Sequence, residues 1–268
     1  MICYPVSAAG IQTRVLDAGH GSKTAVFVHG VGARADRWIK CLESLPDGVR
    51  GVAIDLPGHG FATKGVGPAY SVPAFADFLH EILETLGITR PVGVGTSLGA
   101  HVVATLEVER PGTFSRLVLV GATGIVPLGQ ETRTKIADHL TDRSRAGVVE
   151  KLRWVVVDPN LVTDDWVEEE FRVNNSYGAA ESFEALAAYF ESSIDDDVVG
   201  HRLRLMVEAN QTAVSLVWGA QDRSVPIEIG KAASKVLGDL PLLTIEDAAH
   251  APYFEQPERF LDVLSQLI

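Results

Sequence analysis

The sequence predicts an α/β protein, a mostly parallel sheet with helices on both faces, and three observations lead there. Short runs rich in valine, isoleucine and leucine, bounded by glycine or proline, recur at 25–28, 49–54, 91–95 and 117–120, as strands buried on both faces do. Segments of helical spacing alternate with them at 36–45, 72–86 and 98–110, each closed by a glycine or proline. The alternation resumes with strands at 213–218 and 241–245 and closes with an amphipathic helix over 257–268. Strand, helix, strand in this order builds right-handed crossover units on one sheet.

Composition limits what such a chain can do. Its 268 residues are 46% hydrophobic and 22% charged, enough for one principal core and far from the profile of a disordered chain. Against 23 basic side chains stand 35 acidic ones, a formal charge of -12, which repels nucleic acid and anionic membrane surfaces. The two cysteines, Cys3 and Cys41, are too few for a disulfide framework and lack zinc-site spacing. They read as thiols of a reducing compartment. The first ten residues have neither a basic nor an apolar leader segment, and no run approaches the ~18 apolar residues of a membrane span. The expectation is a cytoplasmic protein.

Between 124 and 211 the strand pattern stops. Helix-like stretches there carry Trp154, Trp166, Phe171, Tyr177, Phe183, Tyr189 and Phe190, with 17 acidic and 9 basic residues, so this segment holds most of the charge imbalance. The expected division is a core of residues 1–123 and 212–268 and a helical cap of residues 124–211. Many of these aromatics form the insertion's own core. The space between insertion and sheet suits a small apolar or amphipathic substrate.

The strongest chemical signal is Gly95-Thr96-Ser97-Leu98-Gly99, directly after a strand and directly before a helix. A serine on so tight a turn is held in strained geometry with its hydroxyl projecting, and only small residues two positions either side let strand and helix approach. Leu98 opens the helix, so its N–H has no partner within the helix. A serine hydroxyl needs a base. His250, in Asp247-Ala248-Ala249-His250-Ala251-Pro252 just past the last predicted strand, stands at the ligand edge of such a sheet and is the leading choice. His29 and His59 sit beside glycines in turns, His101 packs behind the serine, and His20, His80, His139 and His201 read as surface residues.

An acid must hold the imidazole in the correct tautomer. Asp222, in Trp218-Gly219-Ala220-Gln221-Asp222, follows a strand and qualifies best; Asp247 is its rival and reads as a brace for its own turn. No acid follows the 117–120 strand, where Gly121, Ala122 and Thr123 stand. Oxyanion donors are expected from the Val31 N–H, in His29-Gly30-Val31-Gly32, and from the Leu98 N–H. The glycine-rich loop Asp55-Leu56-Pro57-Gly58-His59-Gly60 offers no nucleophile and shapes the sheet edge.

Together these motifs resemble the α/β-hydrolase family, in particular its capped serine hydrolases: an HGxG loop, a DLPGHG loop, a GxSxG elbow, and a late WGxxD and H pair, in that order and outside the insertion. The resemblance implies an α/β-hydrolase fold of eight strands with one antiparallel edge strand near the N-terminus, a helical cap between strands six and seven, and catalysis without metal or organic cofactor. It implies Ser97 as nucleophile, His250 as base, Asp222 as orienting acid, and Val31 and Leu98 as donors. Its carboxylesterases and lactonases suggest hydrolysis of a small ester or lactone. Its meta-cleavage-product hydrolases, which cut a carbon–carbon bond in a dienone acid, are the alternative, and Arg172 matches the arginine that grips substrate there. Trp154 is the other candidate substrate contact. Thr96 and Ala251 depart from the asparagine and tryptophan usual in that group, which favours the ester reading. Acyl transfer, perhydrolysis and a ligand-binding receptor are further uses of the same fold. Dehalogenase chemistry needs aspartate where Ser97 stands.

Overall fold

The computed structural model describes residues 1–268 and contains one eight-stranded sheet. Its strands are β1 (Ile2–Ala8), β2 (Ile11–Gly19), β3 (Lys23–Val28), β4 (Val49–Ile54), β5 (Val92–Thr96), β6 (Arg116–Val120), β7 (Val214–Gly219) and β8 (Leu242–Ile245), in the order β1-β2-β4-β3-β5-β6-β7-β8. From β4 to β8 all neighbours are parallel, while β2 runs antiparallel to both β1 and β4. The one reversed strand therefore lies second from the edge, where the sequence reading placed it at the edge itself.

The cause is a two-residue hairpin that the apolar pattern does not reveal. Ala9 and Gly10 both take positive φ, 50° and 75°, the backbone twist that joins two antiparallel strands most tightly. Only Ala8 of β1 is buried, and polar residues interrupt the buried positions of β2, so neither forms an apolar run. The inner strand β5 is buried at every residue.

Alternate residues of each inner strand serve opposite layers. Val26, Val28, Val52 and Ile54 join a large core with α2 (Val72–Thr85) and α3 (Leu98–Glu109). On the other face Ala25, Phe27, Ala53 and Val94 pack with Trp38, Cys41 and Leu42, and with the C-terminal helix. The segment read as one helix over 36–45 is a 3₁₀ turn, Ala35–Trp38, followed by the short α1 (Ile39–Glu43). Pro46 closes it.

Five helices and no strand lie between β6 and β7: α4 (Gln130–Thr141), α5 (Arg145–Trp154), α6 (Asp164–Asn174), α7 (Ala179–Ser192) and α8 (Gly200–Glu208). The Ser144 and Thr163 hydroxyls accept from Gly147 N at 3.0 Å and Trp166 N at 3.2 Å, capping α5 and α6. Ile136, Leu140, Phe183, Leu186 and Phe190 join the main core, while Val148, Leu152, Val156, Trp166 and Val167 form a small one of their own. Tyr177 joins neither and is almost fully exposed. The chain ends with α9 (Ile227–Val236), α10 (Pro252–Glu255) and α11 (Pro257–Ser265). No helix is long and apolar enough to cross a membrane.

Candidate active site

Ser97 sits between β5 and α3 with φ 53° and ψ -117°, a conformation that costs on the order of 1–3 kcal/mol and persists only where surroundings enforce it. The surroundings here are backbone. Ser97 N donates to Val120 O at 2.9 Å, and its own carbonyl accepts from Ala100 N and His101 N. A Cβ on Gly95 would stand 2.3 Å from Gly99 O, and one on Gly99 would stand 2.2 Å from Val28 O. The two glycines are therefore a steric requirement of the crossing between strand and helix.

Asp222 follows β7 and His250 follows β8, so neighbouring parallel strands deliver both to the same sheet edge as Ser97. His250 Nδ1 donates to Asp222 Oδ2 at 2.7 Å. The other carboxylate oxygen, Oδ1, accepts from Ser224 N at 2.8 Å and Val225 N at 2.9 Å. Asp222 is thus held at both oxygens, with its side chain wholly buried. Asp247 is different: its side chain is exposed, Arg259 lies 3.3 Å away, and its carbonyl accepts from Gln256 Nε2. Gly121 follows β6 beneath the pair, and a Cβ there would lie 3.1 Å from His250 Nδ1 and 3.2 Å from Asp222 Oδ2. The absence of an acid after β6 thus has a positive counterpart, since any side chain there would press on the pair.

Ser97, His250 and Val31 line one cavity, roofed by residues of α4, α5 and α6. Ser97 makes no hydrogen bond to His250. Gly30 lies against the serine, with 3.1 Å from its virtual Cβ to Ser97 Cβ. Neither Val31 N–H nor Leu98 N–H has a backbone partner, so both donors are free. Val31 borders the cavity, whereas the Leu98 side chain is buried behind the serine.

The other glycine-rich loop is architectural. Asp55 is fully buried, with Oδ1 accepting from Ala35 N and Oδ2 from Arg14 Nε and Phe61 N. His29 Nε2 accepts from Leu56 N at 2.9 Å and Nδ1 donates to Gly30 O at 2.8 Å, so this ring ties two loops together; burial pushes its pKa down.

The residues of the insertion sort differently from the sequence reading. Trp154 lines the cavity, and its buried Nε1 has no partner. His139, read as a surface residue, lies against the Trp154 ring at 4.5 Å between centroids and also faces the cavity. Arg172 is not brought to the cavity. Its side chain is 76% exposed and its Nε donates to Glu168 Oε1 at 2.7 Å. The buried face of α6 carries Trp166, Val167, Glu170 and Asn174, and at 100° per residue position 172 points the other way.

In its place stands a charged cluster that the sequence reading missed. Glu170, 2% exposed, accepts from Arg34 Nη1 at 2.6 Å, from Arg37 Nη2, and from Lys151 Nζ at 3.4 Å. Burial would raise its carboxyl, but the Lys151, Arg37 and Arg34 charges outweigh that and hold it far below the usual carboxylate range. Burial pushes the Lys151 ammonium down, opposed by Glu170. Arg34 and Arg37 follow the 29–32 loop directly, which is the one available signal; their partner lies more than 130 residues away in sequence.

A model described as the alpha/beta hydrolase family matches residues 25–263. The chain is 28% identical over 255 residues to the dihydrolipoyllysine-residue acetyltransferase component of an acetoin cleaving system from Cupriavidus necator, covering 94% of this chain but only 64% of that protein. It is 28% identical over 280 residues to a 2-hydroxy-6-oxononadienedioate/2-hydroxy-6-oxononatrienedioate hydrolase of Paraburkholderia phymatum, covering 97% of this chain and 94% of the relative. The solved 2-hydroxy-6-oxo-6-phenylhexa-2,4-dienoate hydrolase from Rhodococcus sp. strain RHA1 superposes with a TM-score of 0.87 at 22% identity, over 99% of this chain and 97% of that one.

Proposed function

The chain belongs to the alpha/beta hydrolase family, and from that premise we propose that it is a serine hydrolase in which Ser97, His250 and Asp222 cleave a small carboxylic ester or lactone. One observation carries the reading: the serine on its strained turn shares a cavity with an imidazole already held at 2.7 Å by a buried carboxylate. With Nδ1 protonated and donating to Asp222, His250 Nε2 is left with a free lone pair, as a base must be.

In this mechanism His250 takes the Ser97 proton as Oγ attacks the carbonyl carbon, and the oxyanion receives the Val31 and Leu98 N–H groups. Each such donor contributes about 3–4 kcal/mol to the transition state. The tetrahedral intermediate expels the alcohol, which leaves with the proton held on His250. A water, deprotonated by the same ring, then releases the acid and restores the serine. Asp222 stays ionised and orients the ring. The helices between β6 and β7 act as a cap that keeps bulk water from the intermediate.

Carbon–carbon hydrolysis of a dienone acid is the second reading, and the Paraburkholderia relative, matched over nearly its full length, favours it. Arg172 lends it no support, being exposed, paired to Glu168 and outside the cavity, and Thr96 and Ala251 in the cavity wall depart from the pattern of that group, which favours the ester. A panel of simple esters, lactones and a dienone acid, assayed with wild type and with Ser97→Ala, tests both. Serine-dependent turnover of esters or lactones supports the first reading, and serine-dependent turnover of the dienone acid alone replaces it with the second.

A further inference from the structure

Of the cations and carboxylates in this network, Arg37, Lys151 and Glu170 line the cavity wall, two cations to one carboxylate. Arg34 is matched by Asp36 at 2.6 Å and by Glu169 at 2.7 Å in addition to Glu170. Arg14 is matched by Asp36 and Asp55. Arg37 and Lys151 remain, both on the cavity wall, and share the single carboxylate of Glu170. Arg37 is further fixed by lying over the Trp166 ring at 4.8 Å. Lys151 is held most loosely: its Nζ reaches Gly32 O at 3.2 Å and Glu170 only at 3.4 Å, and its side chain is 14% exposed. In a chain of net charge -12, an under-compensated cation at a largely enclosed wall is a costly feature unless an anion comes to it. A second, independent sign lies beside it, since the buried Trp154 Nε1–H on the same wall has no acceptor.

From this juxtaposition we propose that Lys151, assisted by Trp154, binds a carboxylate on the substrate, and that the substrate is a half-ester of a short dicarboxylic acid. The assignment rests on the reading of Ser97 as the residue that attacks the ester. The loop at 30–32 links the two groups. The virtual Cβ of Gly30 is 3.7 Å from Ser97 Oγ and that of Gly32 is 3.7 Å from Lys151 Nζ. The ends of this three-residue loop are at most about 7 Å apart, so a short chain with an ester at one end and a carboxylate at the other suits the pair. Lys151 is thus a specificity-determining residue, and its role is separate from that suggested for Arg172.

Binding is measured in the Ser97→Ala background, where no ester turns over, by calorimetric titration with the monoethyl esters of succinic, glutaric and adipic acids and with neutral ethyl pentanoate. At least one half-ester is expected to bind about tenfold or more tighter than the neutral ester, as a charge-assisted contact provides. Lys151→Met in that background is expected to abolish the preference and Lys151→Arg to retain it, with circular dichroism verifying the fold of each. Equal affinity for charged and neutral esters, no binding of any half-ester, or a preference that survives Lys151→Met would overturn the proposal. Wild-type protein is assayed separately for ethanol release. Failure to hydrolyse an ester that the Ser97→Ala protein binds would count against the serine-esterase reading and leave the carboxylate site standing.

Discussion

His250 Nδ1 stands 2.7 Å from Asp222 Oδ2, while Asp247, only three positions before the histidine, turns its carboxylate toward Arg259. Proximity along the chain thus favours one acid and the fold selects the other. Asp222→Asn is expected to lower the rate by up to about 10⁴-fold, because an amide lets the ring adopt the wrong tautomer. Asp247→Asn is expected to leave it nearly unchanged, asparagine tolerating the φ of 58° found there. Steady-state rates of the two variants on one ester check this, and the reverse ranking would transfer the role to Asp247.

Ser97→Ala is expected to lower hydrolysis by several orders of magnitude, leaving only the ~10³ to 10⁴ over water that donors and binding provide. Its fold is expected to survive, because the groups holding the turn are the backbone N–H and C=O of residue 97. Turnover and thermal unfolding of the purified variant are the measurements. Near wild-type turnover would sink the assignment.

Gly121→Ala tests the room beneath the pair. An added methyl would meet His250 and Asp222 at 3.1 and 3.2 Å, at a φ of 49° that disfavours any side chain. A displacement of a few tenths of an ångström is expected to lower kcat by about 10- to 100-fold, in keeping with the sensitivity of catalysis to misplacement. Strain at the positive φ adds roughly 1–2 kcal/mol of destabilisation. Unchanged kcat would show that the pair tolerates movement.

His101, buried in α3, donates from Nε2 to Asp197 O at 2.8 Å, and its Nδ1 has no partner. Burial pushes its pKa down from 6.5 to about 4, outweighing the bond to Asp197. The unfolded chain then binds the proton more readily than the folded one, so this residue's contribution is intact above pH 6.5 and fades as pH falls toward 4. The loss amounts to roughly 3 kcal/mol. Urea unfolding of wild type and His101→Gln across this range is expected to show the variant's stability falling less steeply with acid, and parallel profiles would contradict it.

Arg172→Ala separates the two enzymatic readings. With its guanidinium exposed and paired to Glu168 on the next turn of the same helix, its loss is expected to change KM for a dienone acid and for a neutral ester alike, and little. A large increase confined to the anionic substrate would mean that α6 turns in the bound state and would bring the carbon–carbon reading forward.

Much of the frame is legible in the chain because burial on both faces leaves a local trace. The apolar runs of β3 to β7 and the glycine spacing around Ser97 record constraints acting within a few residues: a strand covered by helices, and a helix crossing it at 2.2 to 2.3 Å from any added Cβ. The β1–β2 hairpin leaves no such run, because β1 is largely exposed at the sheet edge and polar residues interrupt β2. The 36–45 segment has helical spacing but breaks into a 3₁₀ turn and a short helix, with Trp38 and Cys41 fully buried.

What the sequence by itself determines, then, is the order of strands and helices, the turn that carries Ser97, and the short set of histidines and acids able to serve it. Only the tertiary structure decides which of them meet. Asp222 reaches His250 because β7 and β8 are neighbours in register, with Gly219 opposite Ile245. Glu170 reaches Arg34 and Arg37 because α6 turns that one face onto the loop after β3. Arg172, two residues on, faces solvent for the same reason. Periodicity gives the spacing of faces around a helix, but the direction each face points is set by packing against residues far away in the chain, and no local pattern encodes it.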